Sequence, residues 1–343
     1  MDTAVRHMSQ TRRREVLTSQ YGPSVAALFY PLALFALHES GKQLLQATYA
    51  GGKLAAGVAM GLAVCLVYSV PVLSFAVILR STADVRSRRL AHLAFASPPM
   101  FVLIGVLFYM LGLPNGDYLV WTLGWLGVLA FARVARPANR MAAPAATWVR
   151  FGHGISAALI IAFFLAWHLG NHLTAAWSLD TDKQVMDALR TWYRSSAVQP
   201  ILIALFAFQL LSGLRLLWAK IARETDIYSA AQTATGAFLV VYIVSHLIAV
   251  FVLGRIFQGV DTTFAWASGA PTGLLLDSWN VRLIPHYSLA VWFVVTHIAL
   301  GVRVILIAHR ISLIAVNRVA WASCAAGFVL SFVITLAQLS VRS

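Results

Sequence analysis

Two histidines, His168 and His246, lie deep inside long apolar runs of the sequence. In each run a small residue, Ala157 or Thr235, precedes the histidine by eleven positions. That spacing is about three helical turns, so both residues fall on the same helical face. An imidazole inside a membrane span is costly and is usually functional. Two imidazoles can ligate one iron from opposite sides. The matching spacing around the two histidines therefore predicts a b-type haem held between helices. The alternative is a pair of core histidines that hydrogen-bond neighbouring carbonyl groups.

The composition indicates a membrane protein. Of the 343 residues 60% are hydrophobic and 11% are charged, and the mean hydropathy is +0.77, whereas a soluble domain is about one quarter charged. The net charge of +14 comes from basic residues at the ends of apolar runs, so it indicates topology and not nucleic-acid binding.

Cys65 and Cys324 both lie in apolar runs, so we expect no disulfide framework. Residues 1–20 contain no apolar segment, so we expect no cleaved signal peptide.

Nine apolar runs approach or exceed the length of about twenty residues that a transmembrane helix needs. They are 22–38, 54–79, 90–113, 118–135, 151–175, 198–219, 230–254, 286–308 and 319–340. The basic connections all fall on one side of the resulting topology, which predicts a cytoplasmic N-terminus and a C-terminus outside. We therefore expect an all-α integral membrane protein in contact with the lipid bilayer, located in a bacterial inner membrane.

A stretch rich in Pro, Ala and Arg separates the fourth run from the fifth and predicts a linker. The expected organisation is a cytoplasmic basic tail, a four-span membrane domain, a cytoplasmic linker and a five-helix haem-binding bundle, at residues 1–20, 21–135, 136–148 and 149–343. Two segments of the last domain share one pattern of spacing. In Gln209-x-x-x-Gly213-x-Arg215 and in His297-x-x-x-Gly301-x-Arg303, a glycine and an arginine follow the first residue at the same distances.

The last domain resembles the five-helix cytochrome b anchor of succinate dehydrogenase and fumarate reductase. Three motifs carry the resemblance: Arg150-x-x-His153 with His168 fifteen residues on, Gln232-x-x-Thr235-Gly236 with His246 ten residues on, and His297-x-x-x-Gly301-x-Arg303. It implies histidine-ligated haem b, quinone as substrate, and flavoprotein and iron–sulfur subunits on the cytoplasmic face. The family's fourth ligand would fall at Gln209, which is not an ordinary haem ligand, so one haem is expected and two are the alternative. The first four spans are not part of the family's usual anchor.

Helix rise separates two sites by depth. At about 1.5 Å per residue, His168 and His246 lie about 27 and 24 Å from the cytoplasmic ends of their spans. His297 and Gln209 lie about 19 and 16 Å from the same face. We therefore expect one site with two histidines and a second with His297, as a ligand or hydrogen-bonded to Gln209. Glycines Gly213, Gly236 and Gly301 lie near these residues, where a missing side chain admits a flat ring or another helix.

Further polar residues stand near the ends of the fifth run. Arg150, His153 and Ser156 lie where a quinone headgroup could be hydrogen-bonded, and the alternative is an interfacial cluster that touches lipid phosphates. His172 follows His168 by one turn, and with Arg190 and Arg194 it could contact haem propionates.

The function expected from these features is membrane electron transfer between a quinone pool and a partner, with no substrate-oxidising site in this chain. The alternative is a non-catalytic membrane anchor or a haem-sensing module that keeps the fold. A small-solute transporter is disfavoured, because none of the predicted spans carries an Asp or Glu.

Overall fold

The computed structural model describes residues 21–80, 84–134, 143–221, 223 and 226–341. This described part is helical and contains no strand. The expected tail at 1–20 and residues 136–142 of the expected linker lie outside it.

In chain order the helices are α1 (Tyr21–Leu28), α2 (Tyr30–Gln46), α3 (Ala50–Leu79), α4 (Val85–Phe95), α5 (Ser97–Met110), α6 (Gly116–Val134), α7 (Thr147–Thr174), α8 (Leu179–Tyr193), α9 (Val198–Lys220), α10 (Ile227–Phe257), α11 (Phe264–Ala267), α12 (Asn280–Ala308) and α13 (Leu313–Ser340). Seven of these described helices are long and apolar enough to cross a membrane, and two bent pairs, α1 with α2 and α4 with α5, raise the number to nine. These nine segments overlap the nine predicted runs, and the chain is an all-α membrane protein.

Prolines account for both bends. The axis turns by 46° between α1 and α2, where Pro31 occupies the first turn of α2. It turns by 58° between α4 and α5, just before Pro98 and Pro99. Proline lacks an N–H donor and its ring clashes with the preceding turn, so a continuous helix cannot run through these positions unbent.

The connection between α7 and α9 contains an amphipathic helix, α8, which lies outside the nine predicted runs. The Ser178 hydroxyl caps the helix by accepting a hydrogen bond from the Thr181 backbone N–H at 3.0 Å. Asp182, Met186 and Arg190 repeat every four residues and are buried against the bundle. Asp180 and Asp182 lie in its first turn, where negative charges suit the positive end of the helix dipole.

Helix α10 is the central element. It packs against α3, α4 and α5 from the first four spans and against α9 and α12 from the last five. The rings of Phe95, Phe238 and Phe293 meet at this junction, with Phe95 stacked on Phe293 at a centroid distance of 5.2 Å. The two groups of spans therefore share a packed core.

A buried ion pair also joins the two groups of spans. Arg282 Nη1 donates to Asp117 Oδ2 at 2.6 Å, and the two residues are 2% and 3% exposed. The guanidinium lies 4.4 Å from the Phe101 ring centroid and 4.9 Å from that of Trp279. The predicted fourth span, 118–135, left Asp117 out, whereas α6 begins at Gly116 and includes this residue in its first turn.

Candidate functional site

A cavity of about 1030 Å³ lies among the last five spans. Helices α7, α9, α10 and α12 form most of its wall, and α8 contributes at one end. Arg150 and Lys220 line the end where α7 begins, while Arg190, Arg194 and Arg255 line the opposite end. Small-molecule and cofactor sites commonly enclose about 300–1,000 Å³, so this cavity has the size of a cofactor site.

His168 and His246 face each other across this cavity. Their ring centroids are 6.2 Å apart and the ring planes form an angle of 59°. A metal–imidazole bond is about 2 Å long, so rings on opposite sides of one metal ion have centroids about 6 Å apart. The observed ring separation is therefore compatible with one metal ion between the two imidazoles, and the role of these histidines as haem ligands stays a prediction.

An aromatic ring supports each of these two imidazoles. Phe164 stacks on His168 at 4.9 Å and 19°, and Tyr242 stacks on His246 at 5.5 Å and 11°. Each aromatic residue precedes its histidine by four positions, which places both on one helix face. This shared four-residue spacing of an aromatic residue and a histidine is visible in the sequence, although the sequence prediction did not use it.

The imidazole of His246 has an unused hydrogen-bonding atom. Its Nδ1 is buried and has no hydrogen-bond partner among the described residues, and the same holds for Nδ1 of His172. Buried polar atoms are normally paired, so each such exception calls for an explanation.

The helices that carry His168 and His246 both contain π-helical turns close to these histidines. One covers Ile161–Leu165, directly before His168, and the other covers Ile248–Phe257, directly after His246. Such turns are rare and concentrate at functional sites, because the extra residue widens the helix and rotates the side chains that follow.

His172 lies between the His168 ring and helix α8. Its ring is 4.4 Å from that of His168, and its Nδ1 lies 3.9 Å from Asp182 Oδ1. Asn171 Nδ2 donates to the same carboxylate oxygen at 3.1 Å. Burial raises the pKa of Asp182 to about 6, and the positive charge of Arg190 offsets part of this shift.

The structure does not bring Gln209 and His297 together, so the expected pairing of these two residues was wrong. Gln209 Nε2 lies 3.1 Å from Nε2 of His153, and Ser156 donates a short hydrogen bond to Gln209 Oε1. His297 Nδ1 instead lies 3.0 Å from the carbonyl oxygen of Gln232. Similar depth did not imply contact, because helix rotation decides which neighbour each side chain meets.

The three glycines face different partners. A Cβ built on Gly213 would lie 3.3 Å from His153 Cε1, and one on Gly236 would lie 3.0 Å from His297 Cε1. These two glycines therefore make room for an imidazole of the chain itself. Gly301 instead faces the side-chain amide of Gln232, at 3.6 Å.

A hydrogen-bonded chain runs along the wall at the α7 start of the cavity. The Ser156 hydroxyl donates to Gln209, the Gln209 amide donates to His153 Nε2, and His153 Nδ1 donates to the Ser212 hydroxyl at 2.9 Å. The tautomer of His153 follows from these partners. Arg150, His153 and Gln209 line the cavity, while Ser156 sits behind Gln209 and fixes its orientation.

His297 is held in an orientation suited to binding from the cavity side. Its Nδ1 contacts the Gln232 carbonyl and, at 3.3 Å, the Thr235 hydroxyl, and its ring lines the cavity. Partners of this kind fix the tautomer of a ligating histidine.

Within the described ranges no group of three or more His, Cys, Asp or Glu side chains could hold a metal ion. A bis-histidine haem needs only two protein ligands, because the macrocycle supplies the other four. Comparisons of the chain with protein-family models, with curated proteins and with solved structures found no match.

Proposed function

We propose that this chain is a membrane-embedded b-type cytochrome that transfers electrons between the quinone pool and a partner. The observation that carries the proposal is the 6.2 Å separation of the His168 and His246 rings across a largely apolar cavity. The aromatic rings stacked on the two imidazoles and a volume of about 1030 Å³ both suit a flat haem group.

Each residue of the site has a definite part in this proposal. When bound, haem supplies a one-electron redox centre. His168 and His246 would hold its iron from two helices and keep it low-spin. Phe164 and Tyr242 fix the tilt of the two imidazoles, and the apolar wall excludes water, which disfavours the more highly charged oxidation state.

The quinone would bind at the other end of the cavity. The Gln209 amide uses one N–H for His153 and has a second N–H available, and the Arg150 guanidinium lines the same end. Both are donors suited to a quinone carbonyl oxygen. Ser156→Ala should slow haem reduction by added quinol, because the Gln209 amide loses its anchor, and it should leave the haem spectrum unchanged.

The resemblance to succinate dehydrogenase and fumarate reductase anchors suggests the partners. We propose that flavoprotein and iron–sulfur subunits dock on the cytoplasmic face, with the chain in a bacterial inner membrane, its N-terminus inside and its C-terminus outside. Substrate oxidation would then belong to those subunits.

A second function, a non-catalytic anchor or haem-sensing module, is favoured by one observation. The chain from Ser156 through Gln209 and His153 to Ser212 satisfies its polar atoms without any ligand. A dithionite-reduced minus oxidised visible spectrum of the purified chain separates the two proposals. A haem α-band that also appears with quinol supports the cytochrome, whereas a haem-free chain supports the anchor and a quinol-insensitive haem supports the sensor.

A further inference from the structure

The end of the cavity beside His172 carries three arginines, Arg190, Arg194 and Arg255, which we call the arginine mouth. All three line the cavity. Arg190 and Arg194 belong to α8 and its C-cap, and Arg255 lies in the π-helical end of α10. Two separate parts of the chain thus bring their positive charges to one opening.

Within the described residues, two carboxylates form ion pairs with this cluster, Asp261 and Asp187, the latter with Oδ1 at 3.8 Å from Arg190 Nη1. Arg190 Nη1 lies 2.7 Å from both oxygen atoms of Asp261, and Arg194 Nη1 lies 3.7 Å from one of them. Neighbouring Asp187 is paired with Lys183 at 2.6 Å, and Asp182 faces His172 and Asn171. Because Asp187 is shared with Lys183, four positive groups (the three arginines and Lys183) face the two carboxylates Asp261 and Asp187, and two positive charges remain in excess.

The three arginine side chains differ in the contacts that hold them. Arg190 is 8% exposed and also donates to the Thr262 carbonyl at 2.9 Å, so it is fixed, although its Nε is buried without a described partner. Arg255 lies against the Phe251 ring at 5.1 Å. Burial lowers the pKa of Arg194, and the neighbouring charges of Arg190 and Arg255 lower it further. Such crowding of like charges is unfavourable until an anion is bound.

We infer that the arginine mouth binds the two carboxylate groups of the cofactor, with Arg194 and Arg255 as the principal contacts and Arg190, fixed by Asp261, as their support. This inference rests on the proposed haem function and deepens it. The ligand is thereby specified as a dicarboxylate macrocycle, inserted with its acid groups toward α8 and its iron between His168 and His246. Guanidinium–carboxylate pairs are strong and geometrically specific hydrogen bonds.

The test is a spectroscopic titration of the haem-depleted full chain in detergent with two probes, iron protoporphyrin IX and its dimethyl ester. Arg194→Gln and Arg255→Gln should each weaken binding of the free acid by about tenfold, the loss of one charge-assisted contact. The ester should bind the unmodified chain more weakly than the acid and should not respond to either substitution. Lys183→Gln, on the exposed face of α8, is the matched control and should change neither affinity.

The outcomes separate the inference from the proposed function. If neither probe binds the unmodified chain, the cytochrome proposal itself fails. If the free acid binds with a low-spin spectrum and Arg194→Gln and Arg255→Gln leave its affinity unchanged, the function stands and the arginine mouth is refuted. A loss caused instead by Arg150→Gln or Lys220→Gln would place the acid groups at the opposite end. Arg194→Lys should recover part of the affinity, which a folding defect would not explain.

Discussion

The side-chain amide of Gln209 lies 3.1 Å from Nε2 of His153, and these residues stand on neighbouring helices α9 and α7. With Ser212 on the other ring nitrogen, His153 has both nitrogen atoms engaged. His297, on α12, therefore has no opposing histidine with an unoccupied nitrogen at this end of the cavity. The two ends of the cavity are chemically different, although both contain histidines.

One low-spin haem per chain is the first expected outcome. His297→Ala should leave that haem in place, because the His168 and His246 rings do not depend on it. Pyridine-haemochrome quantitation against protein concentration measures the ratio for the unmodified chain and for the variant. Two low-spin haems in the unmodified chain, or loss of the single haem in His297→Ala, would contradict this assignment.

The ion pair between Asp117 and Arg282 should dominate the stability of the junction between the first four and last five spans. Asp117→Asn leaves the buried guanidinium with no carboxylate, and removing one partner of a buried pair costs about 3–5 kcal/mol. We expect a clear fall in the thermal midpoint of the chain in detergent, measured by its tryptophan fluorescence.

An exposed ion pair gives the matched control for that substitution. Lys183 and Asp187 are 60% and 48% exposed, and their 2.6 Å pair lies on the surface of α8. Ion pairs exposed to solvent are screened and contribute little to stability, so Asp187→Asn should barely move the midpoint. Equal effects of Asp117→Asn and Asp187→Asn would show that the buried pair is not a structural tie.

Asp182 should make stability depend on pH in the mildly acidic range. Its pKa in the folded chain, about 6, is above the ordinary value of 3.8. The folded state therefore binds this proton more tightly than the unfolded state does, so the stabilisation is complete below about pH 4 and is lost as the pH rises through 6. Asp182→Asn, which keeps an acceptor for Asn171, should be less sensitive to pH between 4 and 7 and more stable at pH 7.

The test compares the pH profile of Asp182→Asn with those of the unmodified chain and of a control variant. Asp180 lies on the exposed side of the same helix, and Asp180→Asn should retain the profile of the unmodified chain. Thermal midpoints of all three proteins across pH 4–8 are the measurement. Parallel profiles for Asp182→Asn and the unmodified chain would rule out this role of Asp182.

The sequence was sufficient to locate the spans, and it placed His168 and His246 at similar depth, whereas their role as haem ligands stays a prediction. Apolar runs of sufficient length report membrane helices directly, because backbone groups in lipid must bond within the segment. Both histidines sit at similar depth in matching frames, and the structure places their rings 6.2 Å apart.

The depth of Gln209 in its span could not predict which side chain it contacts. Depth fixes a residue's height but not the direction in which its side chain points, and the π-helical turns at Ile161–Leu165 and Ile248–Phe257 shift that direction within the spans. The helix α8 was missed for a different reason. Its buried Arg190 and Asp182 look like surface residues until their ion pair and hydrogen bond are seen.

The most direct test of the account is low-temperature electron paramagnetic resonance of the oxidised chain, with His168→Ala, His246→Ala and the exposed control His309→Ala. We predict a low-spin ferric haem signal in the unmodified chain and in His309→Ala. Each of the other two variants should lose it and show high-spin or no haem, because one imidazole cannot keep the iron six-coordinate. A low-spin signal that survives both His168→Ala and His246→Ala would contradict the assignment of these two histidines as the haem ligands.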